Sequence, residues 1–389
     1  MEPKIRFKGF EGEWKAPLFS EMVERISASG QAGMLPGVEF EDIASGEGCF
    51  NKNIYQKECH KYGKLFYEGD ILFGKLRPYL KNIILADFNG VAIGDFWVLR
   101  SRGLDEKYLY TLVNSESFLK VANISSGSKM PRADWNLVST TKFVVPSAKD
   151  EQKAIGKYFT SLDSQISAST SRLASLKQMK AASLQAMFPQ EGETVPKIRF
   201  KGFEEEWKKV KFGTLLKECT DKSTSEDEDI LLSSAINGVF LNSELFGHQR
   251  GRSNIGYRKI RRNMLILSAQ NLHLGNANVN LRFEHGLVSP AYKIYDLYNV
   301  LPEFMYHWIK REETKKFFLD ATTAGASLCR KNIVWADLYK QNILLPKSEA
   351  EQQAIASYFT SLDRQISLQS QRLEKLKQIK SACLDKMFV

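Results

Sequence analysis

Two long stretches of this chain carry apolar residues at alternating steps of four and three. From Ile155 the steps fall on Phe159, Leu162, Ile166, Ser169, Leu173, Leu176, Lys180, Ser183 and Met187. From Ile355 they fall on Phe359, Leu362, Ile366, Gln369, Leu373, Leu376, Lys380, Cys383 and Met387. Such a stripe is the seam of a coiled coil, narrower than the face a helix lays on a globular core. No glycine or proline interrupts the first segment after Gly156, and Pro189 stands where that helix should stop. Helices of about 36 residues reach about 54 Å. The seams match at their polar steps too, Ser169 with Gln369 and Lys180 with Lys380, so each is expected to pack on the other. Two halves related by an approximate two-fold axis would run these helices antiparallel, with one head at each end of the pair. The alternative is that each helix packs on its own head.

Outside the seams the pattern has a shorter period. Strands are expected at Gly69-Asp-Ile-Leu-Phe73, Asn82-Ile-Ile-Leu-Ala86, Phe96-Trp-Val-Leu99, Lys142-Phe-Val-Val-Pro146, Asn263-Met-Leu-Ile-Leu267 and Asn342-Ile-Leu-Leu-Pro346. Helices are expected over 106–122 and 302–319, from apolar residues three and four apart. Runs of strands followed by helices give α+β heads, roughly 11–146 and 204–346.

The chain also repeats itself. Pro3-Lys-Ile-Arg-Phe-Lys-Gly-Phe-Glu-Gly-Glu-Trp14 returns as Pro196-Lys-Ile-Arg-Phe-Lys-Gly-Phe-Glu-Glu-Glu-Trp207, offset by 193 residues. Residues 151–188 return as 351–388 with 23 of 38 positions identical, too much for chance and at a period too long for a solenoid. A whole domain has been duplicated, while the stretches between the repeated blocks barely match. The expected organisation is a first head over 1–149, a long helix over 150–188, a second head over 189–349 and a second long helix over 350–389.

Composition narrows the function. The net charge is +10 with a sequence pI near 9.1, which favours a polyanionic partner because basic side chains on phosphates release counterions. The five cysteines, Cys49, Cys59, Cys219, Cys329 and Cys383, are odd in number and lack metal-ligand spacing, as expected of reduced thiols in the cytoplasm. The histidines show no ligand spacing either. Nothing reads as a signal peptide or a membrane span.

Catalytic motifs fail one by one. Gly69-Asp-Ile-Leu-Phe-Gly74-Lys75 has phosphate-loop spacing but Leu76 where Ser or Thr must hold magnesium. Ser289-Pro-Ala-Tyr292 shares only one proline and the tyrosine with the Asp/Asn-Pro-Pro-Tyr loop of amino-methyltransferases, and no glycine-rich cofactor loop accompanies it. No nucleophile elbow or HExxH helix is present. Glu226-Asp-Glu-Asp229 reads as a solvated acidic loop.

Basic residues instead cluster inside the heads. Candidates for DNA contact in the first are Lys75, Arg77, Tyr79 and Lys81, then Lys129 and Arg132 after Gly127. In the second they are Arg250, Arg252, Arg258, Lys259, Arg261 and Arg262, followed by Gln270 and Asn271, with Arg330 and Lys331 further on. Arginine reads guanine, amides read adenine and lysine neutralises phosphate, so this mixture suits both affinity and sequence choice.

The paired Glu-Gln-x-Ala-Ile-x-x-Tyr-Phe-Thr-Ser-Leu-Asp-x-Gln-Ile helices at 151–166 and 351–366 each follow a strand ending in Pro146 or Pro346. With the Gly69-Asp-Ile-Leu run, the Gly127 and Gly325 turns and the Pro-Lys-Ile-Arg-Phe openings, the chain resembles the specificity subunit of type I restriction-modification enzymes over essentially its whole length. The resemblance implies two target-recognition domains, each reading half of a split, asymmetric DNA site, on helices that set the spacer and dock two methyltransferase subunits. It implies no cofactor in this chain. S-adenosylmethionine, ATP and Mg would belong to partner methyltransferase and restriction subunits, and adenine methylation and cleavage to those partners. Met264-Leu-Ile-Leu lacks the Gly-Asp opening of its counterpart, so contacts are not expected to transfer between heads. The rivals are an enzyme acting alone and a coiled-coil adaptor that binds only protein.

Overall fold

The computed structural model describes residues 3–124, 130–246, 253–323 and 331–388. The chain forms two units, one from residues 1–173 with 368–389, the other from 174–367. Each is α+β.

In the first unit a four-stranded antiparallel sheet runs in the order Val23–Ile26, Phe96–Ser101, Ile71–Gly74, Ile83–Leu85. Its apolar runs are continuous because both faces are covered. Successive side chains point to opposite faces of a strand, so Ile71, Phe73, Trp97 and Leu99 enter one core with the helices. Leu72, Ile84, Phe96 and Val98 enter another, shared with Phe66 and Val38 of a smaller sheet. The second unit repeats the plan with Leu216–Cys219, Tyr292–Leu297, Leu265–Ser268 and Ala277–Val279 in the same strand order.

Several expected elements are cut differently. The helix expected over 106–122 is two, Glu106–Asn114 and Glu116–Ala122. Ser115 divides them: its hydroxyl donates to the Leu112 carbonyl at 2.6 Å and accepts from the Phe118 amide at 3.3 Å, the work of an N-cap. The helix expected over 302–319 likewise parts into Pro302–Ile309 and Glu313–Leu319.

Residues 342–346 form the strand Asn342–Leu345, paired with Lys208–Lys211, but the matching 142–146 makes only two bridges, Lys15 with Val145 and Leu18 with Lys142. The register is the same. Pro17 stands where the second unit has Val210; it accepts from the Phe143 amide at 3.1 Å but has no N–H to return.

The long helices run Lys149–Ala186 and Glu349–Met387. Every seam position on both is buried or half-buried. They are antiparallel within each unit. In the first, Lys380 pairs with Asp163 at 2.5 Å and the Tyr158 hydroxyl meets the Cys383 thiol at 3.5 Å. In the second, Lys180 pairs with Asp363 at 2.5 Å and Ser183 meets the Tyr358 hydroxyl at 3.0 Å. The lysines that interrupt the apolar seam are thus neutralised by carboxylates from the facing helix.

The repeated blocks meet each other. Arg6 grips Glu151 through two nitrogens at 2.7 and 2.8 Å, and Arg199 grips Glu351 at 2.6 and 2.8 Å. Gln152 accepts from the Asp105 amide as Gln352 does from that of Leu301, both at 3.0 Å. The repeated letters therefore encode the joint between each head and the start of its helix.

Candidate nucleic-acid interface

Among the described residues, most of the basic side chains expected to contact DNA already have partners. Lys75 and Arg132 share Asp95, at 3.3 and 2.9 Å. They hold its carboxyl below the usual range even though burial acts the other way. In the second unit Lys259 pairs with Glu228 and Arg262 with Glu284, while Arg261 takes both oxygens of Asp296 at 2.6 and 2.7 Å. Arg258 is half-buried and donates to the Thr220 carbonyl at 3.2 Å. The acidic run 226–229 is not simply solvated, since Glu228 takes Lys259 and Asp229 takes His285 at 2.7 Å. Lys331 is half-buried. Lys129, Arg250, Arg252 and Arg330, with the turns at Gly127 and Gly325, lie outside the described residues.

Of the described candidates without an ion pair, Arg258 and Lys331 are half-buried and the other five lie in two matching loops. Arg77, Tyr79 and Lys81 sit in the loop joining the strands Ile71–Gly74 and Ile83–Leu85; Gln270 and Asn271 sit in the loop joining Leu265–Ser268 and Ala277–Val279. These loops correspond residue for residue. The flanking registers, Phe73 opposite Ile83 and Leu267 opposite Ala277, fix a constant offset of 194 residues. Each loop contains one turn of 3-10 helix, Pro78–Leu80 or Leu272–Leu274, closed by a left-handed residue, Lys81 or Gly275. Each closes with a backbone bond from position 74 or 268 to the carbonyl of Asn82 or Asn276, at 2.8 and 3.2 Å.

The absence of a Gly-Asp opening in the second head therefore does not prevent correspondence; positions match and side chains do not. Arg77 faces Asn271 across the comparison, Tyr79 faces His273, and Lys81 faces Gly275. Arg77, Gln270 and Asn271 are exposed, and Tyr79 is 55% exposed. His273 is buried with neither ring nitrogen partnered.

Tyr79 and Lys81 also edge a cleft of about 930 Å³ in the first unit, beside Asp163, Lys377 and Lys380. Crowding by protein, and then Lys380, lowers the pKa of Lys81. The lining mixes Lys81, Lys120, Lys377 and Lys380 with Glu47, Glu116, Asp163 and Asp385, so its charge is balanced.

In the second unit a buried histidine and a half-buried lysine, not singled out from the sequence, have shifted titration. His307 lies on the inner face of Pro302–Ile309, and burial, helped by Lys180, lowers its pKa to about 3. Asp363 is 3.9 Å from its Nδ1, too far for a hydrogen bond, so we take the ring as neutral. Lys310 is lowered to about 8 by burial and then by Lys180, and donates to the carbonyls of Ile236 and Ala277 and to Asn278 Oδ1 at 2.6 Å. Their only signal in sequence is polarity inside an amphipathic helix. Among the described residues no cluster has the composition of a metal site, and no helix is long and apolar enough to cross a membrane.

Residues 289–378 match the family model described as the type I restriction modification DNA specificity domain. A crystal structure of the S subunit of a type I restriction-modification system from M. genitalium superposes over 100% of this chain and 99% of its own, with TM-score 0.60 at 14% identity. The chain shares the fold of that S subunit, and its residues 289–378 are similar to the specificity domain. The type I restriction enzyme EcoDI specificity subunit of Escherichia coli is 23% identical over 120 residues, spanning 29% of this chain and 27% of that protein. The HsdS subunit from Thermoanaerobacter tengcongensis aligns over 98% of both chains with TM-score 0.46 and 18% identity. The family match covers the last strand of the second unit's central sheet, its helices and most of the second long helix. The loop with Gln270 and Asn271 falls outside it.

Proposed function

We propose that this chain is the DNA-recognition subunit of a type I restriction-modification complex. Each unit reads one half of a bipartite, asymmetric site. The long helices set the spacer between the halves and dock methyltransferase subunits, and the chain itself performs no chemistry. S-adenosylmethionine, ATP and Mg are cofactors of those methyltransferase subunits and of the restriction subunits that join them. The complex works in the cytoplasm, where its DNA is.

The observation that carries this reading is the pair of loops: one backbone frame, built twice, with unlike and unpaired side chains. A protein-only adaptor has no use for two such loops carrying guanine-type and adenine-type readers. Single-molecule methylation sequencing of the host with and without the gene tests it. A split motif that disappears with the gene is expected, and an unchanged methylome would refute the proposal.

A further inference from the structure

Arg77 and Lys81 share an uncommon backbone. Among the described residues five non-glycine residues have positive φ: Asp227, Asn263, Asn299, Arg77 and Lys81. The first three are of the type that tolerates the left-handed region through local hydrogen bonds. Arginine and lysine have no such compensation, and both bracket the same loop, at φ 50° and 53°. Strain of this kind persists where the surrounding structure enforces it and a side chain must be aimed. The enforcement is visible: the Arg77 amide donates to the Pro131 carbonyl at 2.8 Å, and the Ala133 amide to that of Lys75, also at 2.8 Å. Lys75 and Arg132, both bound to Asp95, fasten the base of the loop and leave its tip free.

The second unit closes the matching loop with less strain. Gly275 takes the left-handed position that Lys81 occupies, and Asn271, at φ −122°, stands in place of Arg77. Neither side-chain amide, of Gln270 or of Asn271, bonds another side chain among the described residues, while the Asn271 backbone N–H donates to the Ser268 hydroxyl at 3.3 Å.

Resting on the DNA-recognition reading, we propose that these two loops, 75–82 and 269–276, are the base-reading elements of their units. Arg77 reads a guanine through its O6 and N7, with Lys81 on a neighbouring phosphate. Gln270 and Asn271 read adenine through N6 and N7. The arginines of the second unit that pair with Asp296 and Glu284 are structural, because each already holds a carboxylate through one guanidinium nitrogen.

The test is selection from randomised duplex DNA by the full chain, purified from its host with whatever subunits accompany it. Arg77→Gly should lose preference for one guanine in one half-site by about 5- to 150-fold and leave the other half-site intact. It should also melt at or above the wild-type temperature, since glycine accepts φ of 50° without strain. Arg77→Asn, whose amide tolerates the same backbone, should lose the same preference. Asn271→Ala should relax the other half-site alone, and Arg262→Gln should change neither. Folded Arg77→Gly with unaltered preferences, or with binding weakened equally on all sequences, overturns the assignment. A wild-type chain that selects no split site would instead sink the recognition function itself, so the two failures are distinguishable.

Discussion

The two arginine clamps look alike, yet their removal should cost different amounts. Glu151 and Glu351 are almost fully buried, at 1% and 2% side-chain exposure, and each accepts two bonds from its arginine. Removing one partner of a buried ion pair costs about 3–5 kcal/mol, because the remaining charge loses its compensation. Glu351 keeps a second donor, since Trp207 Nε1 reaches its Oε1 at 3.2 Å. In the first unit the matching Trp14 Nε1 is buried without a partner, so Glu151 has no such reserve. A hydrogen bond to a charged group is worth about 1.5–3 kcal/mol. Arg6→Ala should therefore cost about 4 kcal/mol and Arg199→Ala about 2 kcal/mol. Two units in one chain need not unfold together, so native-state hydrogen exchange, followed separately over residues 152–162 and 352–362, is the assay. Trp207→Phe combined with Arg199→Ala should restore the larger cost. If Arg199→Ala proves equal to or worse than Arg6→Ala, the account of buried-charge compensation is wrong.

The second unit should be the more acid-sensitive at its helix joint. His307 titrates near 3 when folded and near 6.5 when unfolded, so the unfolded state binds the proton first and stability falls as pH drops from about 6.5 towards 3. At pH 5 the loss is about 2 kcal/mol. Hydrogen exchange in His307→Gln should lose this slope, and parallel slopes in variant and wild type would refute it. A double-mutant cycle of Lys180→Ala and Asp363→Ala, read by urea denaturation, should give a coupling of about 1 kcal/mol, with zero coupling disproving a working pair. Inserting seven residues at matching places in both long helices adds about 10 Å of rise, or about 3 base pairs of DNA. The spacer in the methylated motif should lengthen accordingly with both half-sites unchanged, and a fixed spacer would remove the helices from that role.

The helix pair was legible because its signal is periodic: every seam residue from Ile155 to Met187 is buried or half-buried as the stepping required. The meaning of the repeated blocks was hidden by distance. Arg6 and Glu151 are 145 positions apart, and a single sequence offers no covariation to join them. The loop correspondence was hidden for another reason. The offset between halves is 193 at Arg6 and Arg199, 194 at Arg77 and Asn271, and 200 at Glu151 and Glu351, so small insertions slide the heads out of alignment where they share few letters. Ion pairing was hidden too. Lys259, Arg261 and Arg262 were expected to contact DNA, and the carboxylates they pair with, Glu228, Asp296 and Glu284, come from other strands and loops. Backbone strain at Arg77 leaves no mark in composition at all.

The first unit is completed by residues 368–388, far in sequence from the rest of it. Met387 and Phe388 belong to its core, with Phe388 stacked on Tyr108 at 5.7 Å, whereas the second unit is continuous from 174 to 367. A ribosome adding roughly 5–20 residues per second makes residues 3–173 before 368–388, so Tyr108 cannot stack on Phe388 until the intervening residues have been made. A chaperone that shields the apolar surface around Tyr108 and Phe159 until that contact forms would act during translation.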